Sequence, residues 1–173
     1  MMPKAIIDTN VPKTANGESE QASKSCVRAC VENLQAFQDT QNNGTLIIDD
    51  GYRIIREYRG QLREDGQPGP GDYFLYWVLQ NFKNPQVCEI HTITPDPTID
   101  GNFLEFPPDP ALAKFDFSDR KFAALAAKTG EVVWNAVDSD WWCFRIPLEQ
   151  NGVRILFLCP DAFDGDCACA KDN

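Results

Sequence analysis

Apolar residues along this chain fall into short continuous runs separated by longer stretches with helical spacing. Lys4 to Asp8 (KAIID), Leu46 to Ile48, Val132 to Trp134 and Val153 to Leu158 (VRILFL) are the continuous runs, and Val87 to Thr94 (VCEIHTIT) alternates. Short apolar runs with little polar alternation suit strands covered on both faces. Between them, Ser23 to Phe37 places Val27, Val31, Leu34 and Phe37 on one face with Cys30, as an amphipathic helix does. Gly51 to Arg63 repeats Tyr52, Ile55 and Leu62, and Asp72 to Phe82 carries Tyr73, Phe74, Tyr76, Trp77 and Phe82, which predicts a buried helix. In Phe115 to Trp142, Ser118 is a good N-cap, the Ala-rich run from Phe122 to Ala127 favours helix, and Gly130 stops it. The last apolar run, VRILFL, is read as a final buried strand. Strands alternating with helices predict a three-layer α/β/α fold around a central, mostly parallel sheet of about five strands.

The punctuation is equally clear. Val11 to Glu20, with Pro12 and Gly17, reads as a loop; Asn42-Asn43-Gly44 breaks the first helix; Asp65 to Gly71 (DGQPGPG) links two helices. Pro95 to Pro110 holds Pro95, Pro97, Pro107, Pro108 and Pro110 and reads as an irregular insertion. Arg145 to Gln150 is a short amphipathic connection. Residues 1–160 form one expected domain, and residues 161–173 an acidic, cysteine-containing tail expected to be poorly ordered.

Composition narrows the classes. The 173 residues, 43% of them hydrophobic, suit one domain with a sizeable core. No apolar run approaches the about 18 residues of a membrane span. The first residues read as a strand rather than a signal peptide, so the expectation is a cytoplasmic protein whose seven cysteines are reduced thiols. Cys26 and Cys30 share a helical face and read as small apolar residues. Cys167 and Cys169, near Asp164 and Asp166, offer only a weak soft-metal signal. His91, the single histidine, lies in a strand and reads as a packed residue. The formal net charge of −10 argues against binding nucleic acid by bulk electrostatics. It leaves open a cation site built from acids.

The acids that could build one follow the elements. Asp8 ends the first strand, Glu57 lies within a helix, Asp119 opens the Ala-rich helix, and Asp138 and Asp140 follow a strand. Ligands of open α/β folds bind at the carboxyl ends of the strands. Three Asp and one Glu form a hard-oxygen set suited to Mg²⁺ or Mn²⁺, and carboxylates held close together are costly unless a cation neutralises them. Plainer readings are a helix-dipole acid at Asp119, turn acids at Asp138 and Asp140, and a surface ion pair between Glu57 and Arg53.

Ile6-Ile7-Asp8-Thr9-Asn10 resembles the opening strand of PIN-domain nucleases, which carry Asp-Thr-Asn or Asp-Thr-Ser there. Asp119 ahead of Phe122-Ala123-Ala124-Leu125-Ala126 resembles their third acidic motif, and Val137-Asp138-Ser139-Asp140-Trp141 their fourth. Glu57 stands where the family's helical Glu is expected. Ala136 replaces the family's usual Thr, with Asn135 as its substitute. The resemblance spans roughly Lys4 to Pro160 and is to a bacterial branch rather than to short toxin–antitoxin ribonucleases. It implies divalent-metal-dependent phosphodiester hydrolysis, most often of single-stranded RNA, with single-stranded or structured DNA as a further substrate. By this resemblance Asp8, Glu57, Asp119 and Asp138 hold Mg²⁺ or Mn²⁺, Asp140 is a further ligand or an acid behind the ligands, and Asn10, Asn135 and Asp116 support them. Arg53, Arg56 and Arg120 would meet phosphate, and Trp141 or Trp142 would stack on bases, with packing in the core as the plainer reading of both tryptophans. Two other classes stand beside this one. The first is a non-catalytic PIN-like module for protein contacts, with a homodimer or another protein as partner. The second is a phosphoryl-transfer enzyme using Asp49-Asp50 after a strand.

Overall fold

A computed structural model of the chain describes residues 3–39, 41, 44–163 and 167. Five strands form one parallel sheet: β1 (Lys4–Ile7), β2 (Thr45–Asp49), β3 (Cys88–His91), β4 (Val132–Asn135) and β5 (Ile155–Phe157), in the spatial order β3-β2-β1-β4-β5. The helices are α1 (Asn10–Ala15), α2 (Lys24–Gln38), α3 (Arg53–Gln61), α4 (Pro70–Asn81), α5 (Arg120–Thr129), α6 (Ser139–Cys143) and α7 (Arg145–Gln150). Helices α1, α2 and α4 pack together, whereas α3 packs with α5 and α5 lies along β1, β2 and β4. The result is the expected three-layer α/β/α arrangement.

The apolar runs explain the middle of the sheet. Ala5, Ile6 and Ile7 of β1 are fully buried, as are Leu46, Ile47 and Ile48 of β2. Each of the Leu and Ile side chains contributes on the order of 1.5–3 kcal/mol of transfer free energy. Helix α2 is capped by Ser23, whose hydroxyl accepts from the Cys26 N–H at 3.2 Å, and it buries Cys26, Cys30, Leu34 and Phe37. The edges differ from the expectation. The last strand is short and half-exposed, because β5 has only β4 beside it and Leu156 faces outward.

Helix α1 corrects the loop expected over Val11 to Glu20. Pro12 falls in the first turn, where its missing N–H costs nothing. Val11 and Ala15, four apart, bury one face, and Gly17 ends the turn in left-handed conformation at φ +75°. Asn16 then accepts from the Gly71 N–H at 2.7 Å and ties α1 to the start of α4. Gly71 has no room for a side chain, since a Cβ there would lie 1.9 Å from the Pro12 carbonyl oxygen.

The thiol expectation is also corrected. Cys26 is disulfide-bonded to Cys159 and Cys143 to Cys167, while Cys30 and Cys88 are buried free thiols. The pairs join positions far apart in sequence, so no spacing rule could have paired them. Cys167 is thereby unavailable as a thiolate ligand. Cys169, Asp164 and Asp166 lie outside the described residues, as does most of the tail. Among the described residues no helix is long and apolar enough to cross a membrane.

Candidate functional site

The strand order reverses between β1 and β4. The chain leaves β1 toward β2 on one side, while β4 and β5 occupy the other, and a crevice opens at the carboxyl ends where the two directions part. Asp8 ends β1 there, and its N–H bonds the Trp134 carbonyl of β4 at 3.1 Å. Asp138 follows β4 as the N-cap of α6, accepting from the Asp140 N–H at 2.9 Å. Asp119 sits at the start of α5, behind a 3-10 turn over Phe117–Asp119 that Asp116, not Ser118, caps. One carboxylate oxygen from each of Asp8, Asp119 and Asp138 lies within 4.8 Å of the others. Glu57, from α3, lines the same open cleft with Thr9, Asn10, Lys13 and Gln61.

Asp8 is held from two directions. Its Oδ1 accepts from the Asn10 backbone N–H at 2.8 Å and the Asn10 amide at 2.6 Å, and its Oδ2 accepts from the Trp141 indole at 2.9 Å. Asn10 also donates to Asn135 at 2.7 Å and accepts from the Ala136 and Val137 N–H groups at 2.7 and 3.3 Å. Asn135 donates to the Asp138 carbonyl at 3.2 Å. This lattice joins the loops after β1 and β4: Ala136 contributes its backbone N–H, and the Asn10 and Asn135 amides link the Asp8 carboxylate to the Asp138 backbone.

Asp119 is different. It is nine-tenths buried, and among the described residues no nitrogen or hydroxyl donates to its carboxylate; its hydrogen-bond partner is the carboxyl of Asp138. Burial, then the charges of Asp8 and Asp138, push its pKa up to about 10. Burial raises Asp8 to about 7, opposed by the Asn10 and Trp141 hydrogen bonds and assisted by the charges of Asp138 and Glu57. Asp138 is raised mainly by burial. Three carboxyl groups crowded at one point, one without an outside donor, have the oxygen chemistry and the charge deficit that a hard divalent cation satisfies. The residues fit such an ion.

Glu57 stands beside this trio rather than in it. Its Oε1 accepts from the Thr9 hydroxyl at 2.6 Å and its Oε2 is ion-paired with Lys121. The expected Glu57–Arg53 surface pair does not form. Arg53 instead bonds Asp49 at 3.0 Å, and Asp49 accepts from the Arg53 and Ile54 N–H groups at 3.0 Å each, capping α3. Asp49 is fully buried in that role, so of the Asp49-Asp50 pair only Asp50 is exposed.

The other expected residues divide. Asn10 and Asn135 brace the acids directly. Asp140 is not in the trio; it accepts from the Asp116 N–H at 2.8 Å and so fastens the turn before α5 to α6, with its pKa raised by burial and by Asp138 and Asp116. Arg53 and Arg56 are outside the cleft lining. Arg120 is buried away from it: its guanidinium donates to the carbonyls of Phe115 and Ala113 and to the Asn102 side chain, and lies over the Phe106 and Phe117 rings. Trp141 is fully buried and touches Asp8, so it cannot stack on a base, and Trp142 stacks on Phe163 with ring centres 4.9 Å apart.

Three groups were missed. The sequence around Trp141 suggests a base platform or a core residue, and nothing in it says that the indole N–H meets Asp8, 133 residues away. Lys121 carries no local sign that sets it apart from Arg120 next to it; in the fold Lys121 is ion-paired with Glu57, while Arg120 turns to Phe115, Ala113 and Asn102. Lys13 lay in the supposed loop, and forming α1 brings it to the cleft, where it donates to Gln61 at 3.0 Å. Comparison of the chain with protein-family models and with curated protein sequences finds no match.

Proposed function

We propose that this chain is a divalent-metal-dependent nuclease that hydrolyses phosphodiester bonds, most readily in single-stranded RNA, and that its fold is PIN-like. The observation that carries the reading is the convergence of Asp8, Asp119 and Asp138 at the sheet's switch point, with Glu57 on the same cleft. Asp8, Asp119 and Asp138 would hold Mg²⁺ or Mn²⁺, which when bound polarises a phosphoryl oxygen and lowers the pKa of water. The chain's own part is positioning. Asn10 and Trp141 fix both oxygens of Asp8, the Asp140 N–H fixes Asp138, and the rigid start of α5 presents Asp119. The cleft is open at the surface, which suits a polymer passing over it, and Lys13 is its lining cation for a substrate phosphate. With a net charge of −10, such local contacts rather than a basic face must hold the strand.

The test is cleavage of a labelled single-stranded RNA with Mn²⁺ present or chelated. Cleavage that needs the ion and falls by about 100-fold or more in Asp8→Asn and Asp138→Asn is expected. Ion-independent cleavage, or none at all by the wild type, sinks the reading. A single-stranded DNA of the same sequence sets the substrate class. The Lys121–Glu57 pair, which balances one of the acids without any ion, favours a second reading: a non-catalytic PIN-like module for protein contacts. Absence of divalent-ion binding by calorimetry selects that reading.

A further inference from the structure

Four acids surround the cleft, yet only three converge. The fourth, Glu57, already has a cation. Lys121 is nine-tenths buried, and its ammonium is ion-paired with Glu57 Oε2 and donates to the Ser118 carbonyl oxygen. The other Glu57 oxygen is taken by the Thr9 hydroxyl at 2.6 Å. Ser118 immediately precedes Asp119, so the carbonyl and the carboxylate that meet the ammonium both border the acid trio. A carboxylate and a backbone carbonyl are also the oxygen types that coordinate Mg²⁺ or Mn²⁺. Rim residues that held this lysine only by chance would leave its head in water, since a long stem normally keeps its charge solvated. Here the side chain is nine-tenths buried, and its head meets two oxygens and lies over the Phe122 ring, 4.8 Å from its centre.

We infer that Lys121 takes the place of a second metal ion, so that the centre binds one divalent cation, on Asp8, Asp119 and Asp138, and Glu57 serves the lysine instead of a metal. The inference rests on the metal-site reading above and adds its stoichiometry and the division of labour among the four acids. The acid trio would hold the one ion, and the fixed ammonium supplies a second positive charge at Glu57. The ammonium's charge is covalently attached and needs no free metal to be present. Lys121 is in this sense a positioning residue: it keeps Glu57 from joining the trio and keeps a second ion out.

Calorimetric titration with MnCl₂ tests this without any turnover. The wild type is expected to bind one ion per chain, and Lys121→Gln two, the second lost again in the double variant Lys121→Gln/Glu57→Gln. Lys121→Arg, which keeps the charge, is expected to remain at one. Glu57→Gln alone is expected to bind one ion with affinity within about threefold of wild type, whereas loss of a direct ligand costs more than the 10- to 100-fold typical of an outer hydrogen-bonding partner. The Glu57→Gln arm keeps the question decidable if Lys121→Gln does not fold. Two ions on the wild type, one ion on a folded Lys121→Gln, or a Glu57→Gln affinity reduced beyond 10-fold overturns the inference while leaving the metal site standing. A wild type that binds no ion overturns both.

Discussion

At the scale of single residues, the site is costly to the protein that carries it. Asp119 and Asp8 keep their protons to about 10 and about 7, whereas an unfolded aspartate loses its proton near pH 4. Between those values the folded, metal-free protein binds more protons than the unfolded chain, so its stability falls as pH rises. Melting in chelator is therefore expected to show a temperature that drops steadily from pH 5 to pH 9. Asp119→Asn, which mimics the protonated form, is expected to flatten most of that slope and to abolish Mn²⁺ binding. A flat profile in the wild type would mean that the acids are not crowded in solution. Because a cation favours the ionised acids, added Mn²⁺ should raise the melting temperature more at pH 8 than at pH 6.

Trp141 belongs to the same scale. Its indole donates to Asp8 from a fully buried ring packed on Phe115, with centres 5.0 Å apart. Trp141→Phe retains most of the apolar area and removes the donor. The expected cost is about 1–3 kcal/mol of stability and about a 10-fold loss of Mn²⁺ affinity, read by urea unfolding and calorimetry. Unchanged affinity would reduce Trp141 to a core residue. Asp8, Asp119 and Asp138 could be read from the sequence because each stands next to a clear apolar run or a helix start, whereas Glu57, within α3, has no such local marker. Their braces could not, because a side chain's long-range partner depends on packing that no local pattern encodes.

At the scale of elements, the Pro95 to Pro110 insertion explains why Arg120 serves the fold rather than a phosphate. In sequence, Arg120 is simply a cation beside a candidate ligand. In the fold, α5 begins at Arg120, directly after Asp119, and the insertion packs over the helix start. Arg120 then reaches the carbonyls of Phe115 and Ala113, Asn102 within the insertion, and the faces of Phe106 and Phe117 at 4.4 and 3.9 Å from its guanidinium carbon. Replacing it with Met leaves those carbonyl oxygens without their donors, at an expected cost of about 3 kcal/mol in urea unfolding. Mn²⁺ binding should change little, because Arg120 does not touch the trio. A variant as stable as wild type but weaker for RNA would restore Arg120 to a phosphate role. The strands were legible for the opposite reason. KAIID and its neighbours are apolar on both faces, and only a sheet covered on both sides satisfies that pattern. Helix α1 was not legible because six residues containing a proline carry almost no periodicity, and its burial comes from α2 and α4.

At the scale of the whole molecule, the two disulfides set the terms on which the rest can be tested. Cys26 and Cys159, separated by 133 positions, fasten α2 to the segment after β5, and Cys143–Cys167 fastens α6, whose N-cap is Asp138, to the segment beyond. A closure this long restricts the unfolded chain strongly, and its loss typically costs about 2–5 kcal/mol. Cys159→Ser is accordingly expected to lower stability by that amount in urea without a reductant, and by much less when wild type and variant are compared in excess reductant. The second comparison separates the cross-link from simple packing, since the serine is present in both. Thiol counting on protein isolated under alkylating, non-reducing conditions then decides the compartment. Bonded pairs point to an oxidising environment, and fully reduced cysteines to the cytoplasmic setting expected from composition. If the pairs are reduced in the native protein, the fold must be held by its apolar sheet alone, and Cys159→Ser should leave its melting temperature nearly unchanged.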